Sequence, residues 1–162
     1  MTSTLKTQSL PADALNAGRR ASIIAALNAN LANLIDLGAA AKQAHWNVRG
    51  PNFQGLHGLF DIIAAEARAD ADLCAERAVT MGGTAHGTIQ DSVAGTALPP
   101  FPTDVQAWET LVRALRERMH CTAEQMRSDL KTLDDEMATQ DLYIEVVRRI
   151  EMRSWMLDAH LG

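Results

Sequence analysis

Apolar residues in this chain recur at spacings of three and four over four separate stretches, and one interval between stretches is far longer than the rest. In the first stretch, over 19–46, Ile24, Leu27, Leu31 and Leu34 share one helical face. Gly50-Pro51 then breaks the chain. Leu56, Leu59, Phe60, Ile63 and Ala67 predict a second helix over 52–81, stopped by Gly82-Gly83. The segment 84–102 holds two glycines and three prolines and has no strong period, with room for a short helix at 89–93. Thr103-x-x-Gln106 has the form of a capping box. Val105, Trp108, Leu111, Val112, Leu115 and Met119 mark a third helix after it, ending near Asp134-Asp135. Leu142, Val146, Ile150 and Leu157 place a fourth over 137–160. Short links make antiparallel neighbours, whereas a link of about twenty residues spans the bundle and makes the pair it joins parallel. The expected fold is all-α.

That arrangement is the ferritin-like variant of the four-helix bundle, with its long crossover between helices 2 and 3. Its domain would cover 19–162, with 1–18 as a tail. The chain has 162 residues, enough for one domain with a full core. It is 47% hydrophobic but only 4% aromatic, a profile that suits helices better than a β-sandwich. The formal charge of −5 gives the body no basic field for nucleic acid. Cys74 and Cys121 fall in mid-helix without a CxxC pairing, as small buried thiols of a reducing compartment. With no apolar run read as a membrane span and no signal-peptide core in 1–20, the expectation is a soluble, cytoplasmic protein without membrane partners.

Most charges need no special account, and Arg116, Glu117, Arg118, Arg148 and Arg149 read as solvated-face residues. The second helix differs. His57 and Asp61 are four residues apart, as are Asp72 and Glu76, and at 3.6 residues per turn all four fall within an arc of roughly 100°. The arc lies beside the apolar face rather than opposite it. His45, at the end of the first helix, joins the set if that helix packs antiparallel to the second. A lone His-x-x-x-Asp is ordinarily a surface pair, and Asp-x-x-x-Glu alone is ordinarily solvated. Together, two histidines and three carboxylates form a mixed N/O donor set suited to iron or another divalent transition metal.

Distance constrains how such a set works. Asp61 and Asp72 are eleven residues apart, about 16 Å along a helix, while a metal–ligand bond is near 2 Å. Eleven residues is close to three whole turns, so both pairs face nearly the same way. The spacing therefore implies either two unrelated half-sites or one composite site repeated twice in a symmetric dimer.

The segment Lys42-Gln43-Ala44-His45-Trp46-Asn47-Val48-Arg49-Gly50-Pro51, followed by His57-x-x-x-Asp61, Asp72-x-x-x-Glu76-Arg77-Ala78 and Gly82-Gly83, resembles the Dps family, the DNA-binding proteins from starved cells or miniferritins. All five ligand positions stand at the family spacing, and a weaker likeness, including Trp155, runs over the whole bundle. The resemblance implies a ferroxidase and a homo-oligomer: a hollow dodecamer built from two-fold dimers. It further implies iron as Fe(II) and Fe(III), hydrogen peroxide as the preferred oxidant, and a site at the dimer interface. Carried over by position, His45, His57 and Asp61 come from one chain and Asp72 and Glu76 from its partner. Trp46 would lie near the metal and absorb oxidising equivalents, although core packing accounts for such a residue equally well. Glu124, Asp129, Asp134, Asp135 and Glu136 are candidates for an acidic metal path, or simply a solvated helix end.

Three rivals remain. A ferritin-type site inside the bundle needs two Glu-x-x-His motifs, and only Glu117-x-x-His120 is present. A DNA-compacting, nucleoid-associated protein would have to act through Lys6, Arg19 and Arg20 in the first twenty residues. Twelve chains of charge −5 carry about −60, so the expected DNA binding is weak and salt-sensitive. An inert scaffold would require five aligned ligands by accident.

Overall fold

The computed structural model describes residues 15–162; the N-terminal stretch 1–14, including Lys6, lies outside the described residues. Five helices follow in order: α1 Ala17–Asn47, α2 Phe53–Thr80, the short α3 Ile89–Gly95, α4 Trp108–Leu130 and α5 Met137–Leu161. No strand occurs among the described residues; their one β-bridge joins Arg49 to Ala107. Asn16 caps α1 by accepting from Arg19 N–H, so the helix starts at Ala17 and includes two residues assigned above to the tail.

The four long helices bury Leu27, Leu31, Leu34, Leu56, Phe60, Leu115, Val146 and Leu157 in one core. Each such side chain stabilises the fold by about 1.5–3 kcal/mol. α1 is long and apolar enough, by length and composition alone, to cross a membrane, against the sequence expectation. Its leucines instead face the bundle interior.

The crossover climbs antiparallel to α2, against the length of α1. Asn28 Nδ2 donates to Thr84 O, Ala97 N–H donates to Asn33 Oδ1, Gln43 Nε2 donates to Thr103 O, and Arg49 N–H donates to Gln106 O. These four contacts carry the chain back to the end where α2 began, so α4 runs parallel to α2, as the long link implied. Asn33 is 2% exposed because it serves this purpose.

Thr103-x-x-Gln106 does not cap α4. The helix starts at Trp108 after Ala107, with no side-chain cap, because the bridge to Arg49 holds the preceding residues extended. The capping box occurs earlier, at Thr88 and Asp91 of α3. α4 also ends at Leu130, short of Asp134-Asp135, where the turn over 131–136 tucks Leu133 into the core.

Two arginines depart from the solvated-face reading. Arg118 is 2% exposed, pairs with Asp36 at 2.5 Å, donates to Pro99 O and lies over the Phe101 ring. It thereby fastens the crossover to α1 and α4. Arg149 enters the seam between α2 and α5 and pairs with Asp70. Cys74 is fully buried, which pushes its thiol up to about 12, but Cys121 is only half-buried. Asn30 donates to Asp129 at 2.7 Å and to the buried Tyr143 hydroxyl at 3.1 Å, and burial raises the Asp129 carboxyl above its ordinary range.

Gly50 makes the return from α1 to α2 possible. Its φ of 129° is open to glycine, and a Cβ there would lie 2.6 Å from Trp108 Cδ1. Gly50→Ala should lower stability by about 1–3 kcal/mol, measured by urea denaturation. An unchanged midpoint would show that the turn tolerates a side chain.

Candidate metal centre

The α1–α2 turn places the last turn of α1 against the first turns of α2, and two histidines meet there. His45 Nδ1 donates to His57 O at 2.7 Å, and His57 Nδ1 donates to His45 O at 2.8 Å. Carbonyl oxygens only accept, so both Nδ1 atoms carry hydrogen, and in the neutral form of each ring the lone pair lies on Nε2. This is the backbone-carbonyl support that fixes imidazole orientation in metal sites. The rings stack with centroids 3.7 Å apart, and Phe53, one turn before His57, stacks on its ring at 5.1 Å.

Asp61 lies one turn beyond His57, with its side chain about half exposed. Lys42, three residues before His45, reaches it in an ion pair. The Lys42 ammonium holds the Asp61 carboxyl below its ordinary range, and positive charge on His45 and His57 would add to that. In the sequence Lys42 stands only as the first residue of the family-like segment, with no role of its own, and Phe53 stands outside it. Their spacing to the histidines, one turn in each case, was the available signal.

The structure brings His45, His57 and Asp61 to one edge of the chain and leaves Asp72 and Glu76 apart from them. α2 is unbroken from Phe53 to Thr80, so Asp72 stays about three turns from Asp61. Among the described residues no group of three His, Cys, Asp or Glu side chains stands close enough to hold a metal ion. Asp72 and Glu76 are exposed on α2. They share that surface with Ala65, Ala69 and Val79, and Asp72 lines an open hollow of about 710 Å³ between α1 and α2 together with Leu31 and Ile35.

Trp46 is 68% exposed, which removes the core-packing account of it. It borders a hollow of about 480 Å³ with Arg49 and Phe53. Glu117 and His120 are both exposed on α4 rather than turned into the bundle, so they form no ferritin-type motif. Most of the suggested metal-path acids have partners within the chain. Glu124 pairs with Arg127 and Asp135 with Arg19, while Glu136 pairs with Arg77 and caps α5.

Comparison with known proteins agrees with this architecture. A family model described as a ferritin-like domain matches residues 24–162. The DNA protection during starvation protein of Agrobacterium fabrum is 34% identical over 149 residues, covering 91% of this chain and 92% of that one. The tetragonal form of Mycobacterium smegmatis Dps superposes with a TM-score of 0.88 at 28% identity, covering 96% of this chain and 94% of that one. A Dps protein from Bacillus brevis gives 0.86 at 26% identity, over 91% of this chain and 100% of that one. With the family model spanning the bundle and a curated relative matching nearly end to end, the chain belongs to the Dps family of ferritin-like proteins.

Proposed function

We propose that this protein stores iron and protects against oxidative damage, and that it does so as a homo-oligomeric ferroxidase whose sites are each built from two chains. The observation that carries this reading is the pair of reciprocal histidine–carbonyl bonds, which leaves both Nε2 lone pairs free, with Asp61 one turn beyond His57 on α2. Such a half-site has a single carboxylate, and the same helix carries two unused ones, Asp72 and Glu76, on its exposed surface.

One register supplies both. If two α2 helices pack antiparallel about a two-fold axis with Asp61 opposite the partner's Asp72, then His57 falls opposite the partner's Glu76, since each pair of numbers sums to 133. Gly58, with open space where a Cβ would project, then faces the partner's Ala75, so the helices can approach closely. Two sites result per dimer, and twelve chains in a shell would hold twelve.

Iron is the substrate here. His45 and His57 offer neutral nitrogens held in a fixed orientation, and three carboxylates offset the charge that grows as Fe(II) becomes Fe(III). The balance is two Fe(II), one hydrogen peroxide and two protons giving two Fe(III) and two waters. Fe(III) then passes to a mineral inside the shell. Where only one Fe(II) is present, the exposed Trp46, next to His45 along the chain, would give the second electron. Consuming peroxide and Fe(II) together protects DNA without binding it. DNA compaction therefore stays the secondary reading, in the cytoplasm or at the nucleoid, and the body's charge of −5 per chain opposes it.

Two experiments test the site. Lys42→Met removes the cation that competes for Asp61, so Co(II) should bind about two- to five-fold more tightly, read from its d–d absorption. Weaker binding would mean that Lys42 helps to hold the site rather than block it. The second test mixes subunits. His45→Ala with His57→Ala, and Asp72→Ala with Glu76→Ala, should each oxidise Fe(II) slowly. After unfolding, mixing and reassembly, about half the dimers are mixed and each holds one complete site, so activity should return to roughly a quarter of wild type. No recovery in intact mixed shells rules out a site shared by two chains.

A further inference from the structure

The seam between α2 and α5 closes on charged pairs. Arg153 Nε and Nη2 donate to the two carboxylate oxygens of Glu66 at 2.8 and 2.6 Å. One turn along, Arg149 pairs with Asp70, whose side chain is only 2% exposed, and also with Glu145 at 2.5 Å. Among these groups lies a small, partly open hollow of about 10 Å³, lined by Leu34 of α1, Met119 of α4 and Ile150 of α5 as well as by Glu66, Asp70 and the two arginines. All four long helices therefore converge on it. That volume is the size of a single water or ion.

A metal site inside a ferritin-like bundle is made of inward carboxylates on facing helices. α2 keeps two such carboxylates, one turn apart. α5 answers them with two guanidinium groups, also one turn apart, and α4 contributes only Met119 at the hollow. We infer that Arg149 and Arg153 determine where this chain takes metal: they are resident cations that occupy the carboxylates of the bundle interior and deny that interior to divalent ions. Metal is thereby left to the chain boundary, so the inference rests in part on the two-chain site proposed above.

The physical reason is competition for one pair of anions. Asp70 is out of water, and a buried carboxylate without a partner must find a cation or take up a proton. Two covalently tethered guanidinium groups supply the same two positive charges as one divalent ion, and bidentate pairing at Glu66 leaves neither oxygen free. With Glu145 included, three acids face two arginines, so the seam is not over-neutralised. Removing both arginines leaves the carboxylates of Glu66 and Asp70 unpaired at the hollow, with Glu145 at its outer side.

Mn(II) tests this directly. Arg149→Met with Arg153→Met is made in a shell that also carries His45→Ala and His57→Ala, so the boundary site is weakened equally in the variant and in its control. This variant should bind about one more Mn(II) per chain than the His45→Ala, His57→Ala shell, counted by the EPR signal of free Mn(II). Its Tm should rise by roughly 5 °C when Mn(II) is added. Adding Glu66→Gln and Asp70→Asn should abolish both responses. If the arginine variant folds only with Mn(II), the inference is supported. If it takes up no extra Mn(II), or fails to fold with Mn(II) while the Glu66→Gln, Asp70→Asn version folds, the inference is overturned. It is also overturned if the His45→Ala, His57→Ala shell with both arginines intact already loads the seam. Wild type against the His45→Ala, His57→Ala shell reads the boundary site separately, so failure of one reading is distinguishable from failure of the other.

Discussion

The antiparallel return of α2 along α1 rests on one tight turn, in which Trp108 lies against a residue that has no side chain. That contact sets how closely the first turns of α2 approach the last turn of α1. His45 and His57 can exchange hydrogen bonds with each other's backbone only at that approach. The orientation of both imidazoles, and the presence of Asp61 beside them, follow from it. So does the start of α4, because Trp108 is its first residue and the neighbouring bridge to Arg49 keeps the preceding segment extended.

An unbroken helix then imposes the opposite constraint. α2 cannot bend Asp72 and Glu76 back to the histidines, because its regular rise keeps them about three turns away. The chain carries the two candidate ligand pairs of α2 about three turns apart, and the surface of Asp72 and Glu76 also carries Ala65, Ala69 and Val79. On the proposed two-chain reading, small and apolar neighbours suit these polar groups to an interface between copies, where close approach and desolvation would strengthen each metal–ligand contact.

Charge in the interior has a different task. Arg118 ties the crossover to α1 and α4, Arg77 joins α2 to the start of α5, and Arg149 and Arg153 close the middle of the α2–α5 seam. Each replaces apolar packing at a place where helices or loops must be held in one register. Breaking such a pair by removing one partner costs more than the pair itself contributes, because it strands a charge away from water.

The sequence by itself determined the number of long helices, the parallel pairing across the long crossover and the five metal-ligand candidates. Helical periodicity and the eleven-residue spacing are local geometry, and local geometry is written in residue order. Tertiary structure decided the matters that depend on neighbours distant along the chain. Thr103 and Gln106 satisfy a capping pattern, yet a bridge to Arg49 keeps them out of the helix. Arg118 and Arg149 read as surface charges until Asp36 and Asp70, on other helices, are brought against them. Lys42 was within one turn of His45 throughout, but only the packing of α1 on α2 gave it Asp61 as a partner. A charged side chain is neutralised by whatever folding places beside it, and that neighbour is set by the fold rather than by sequence position.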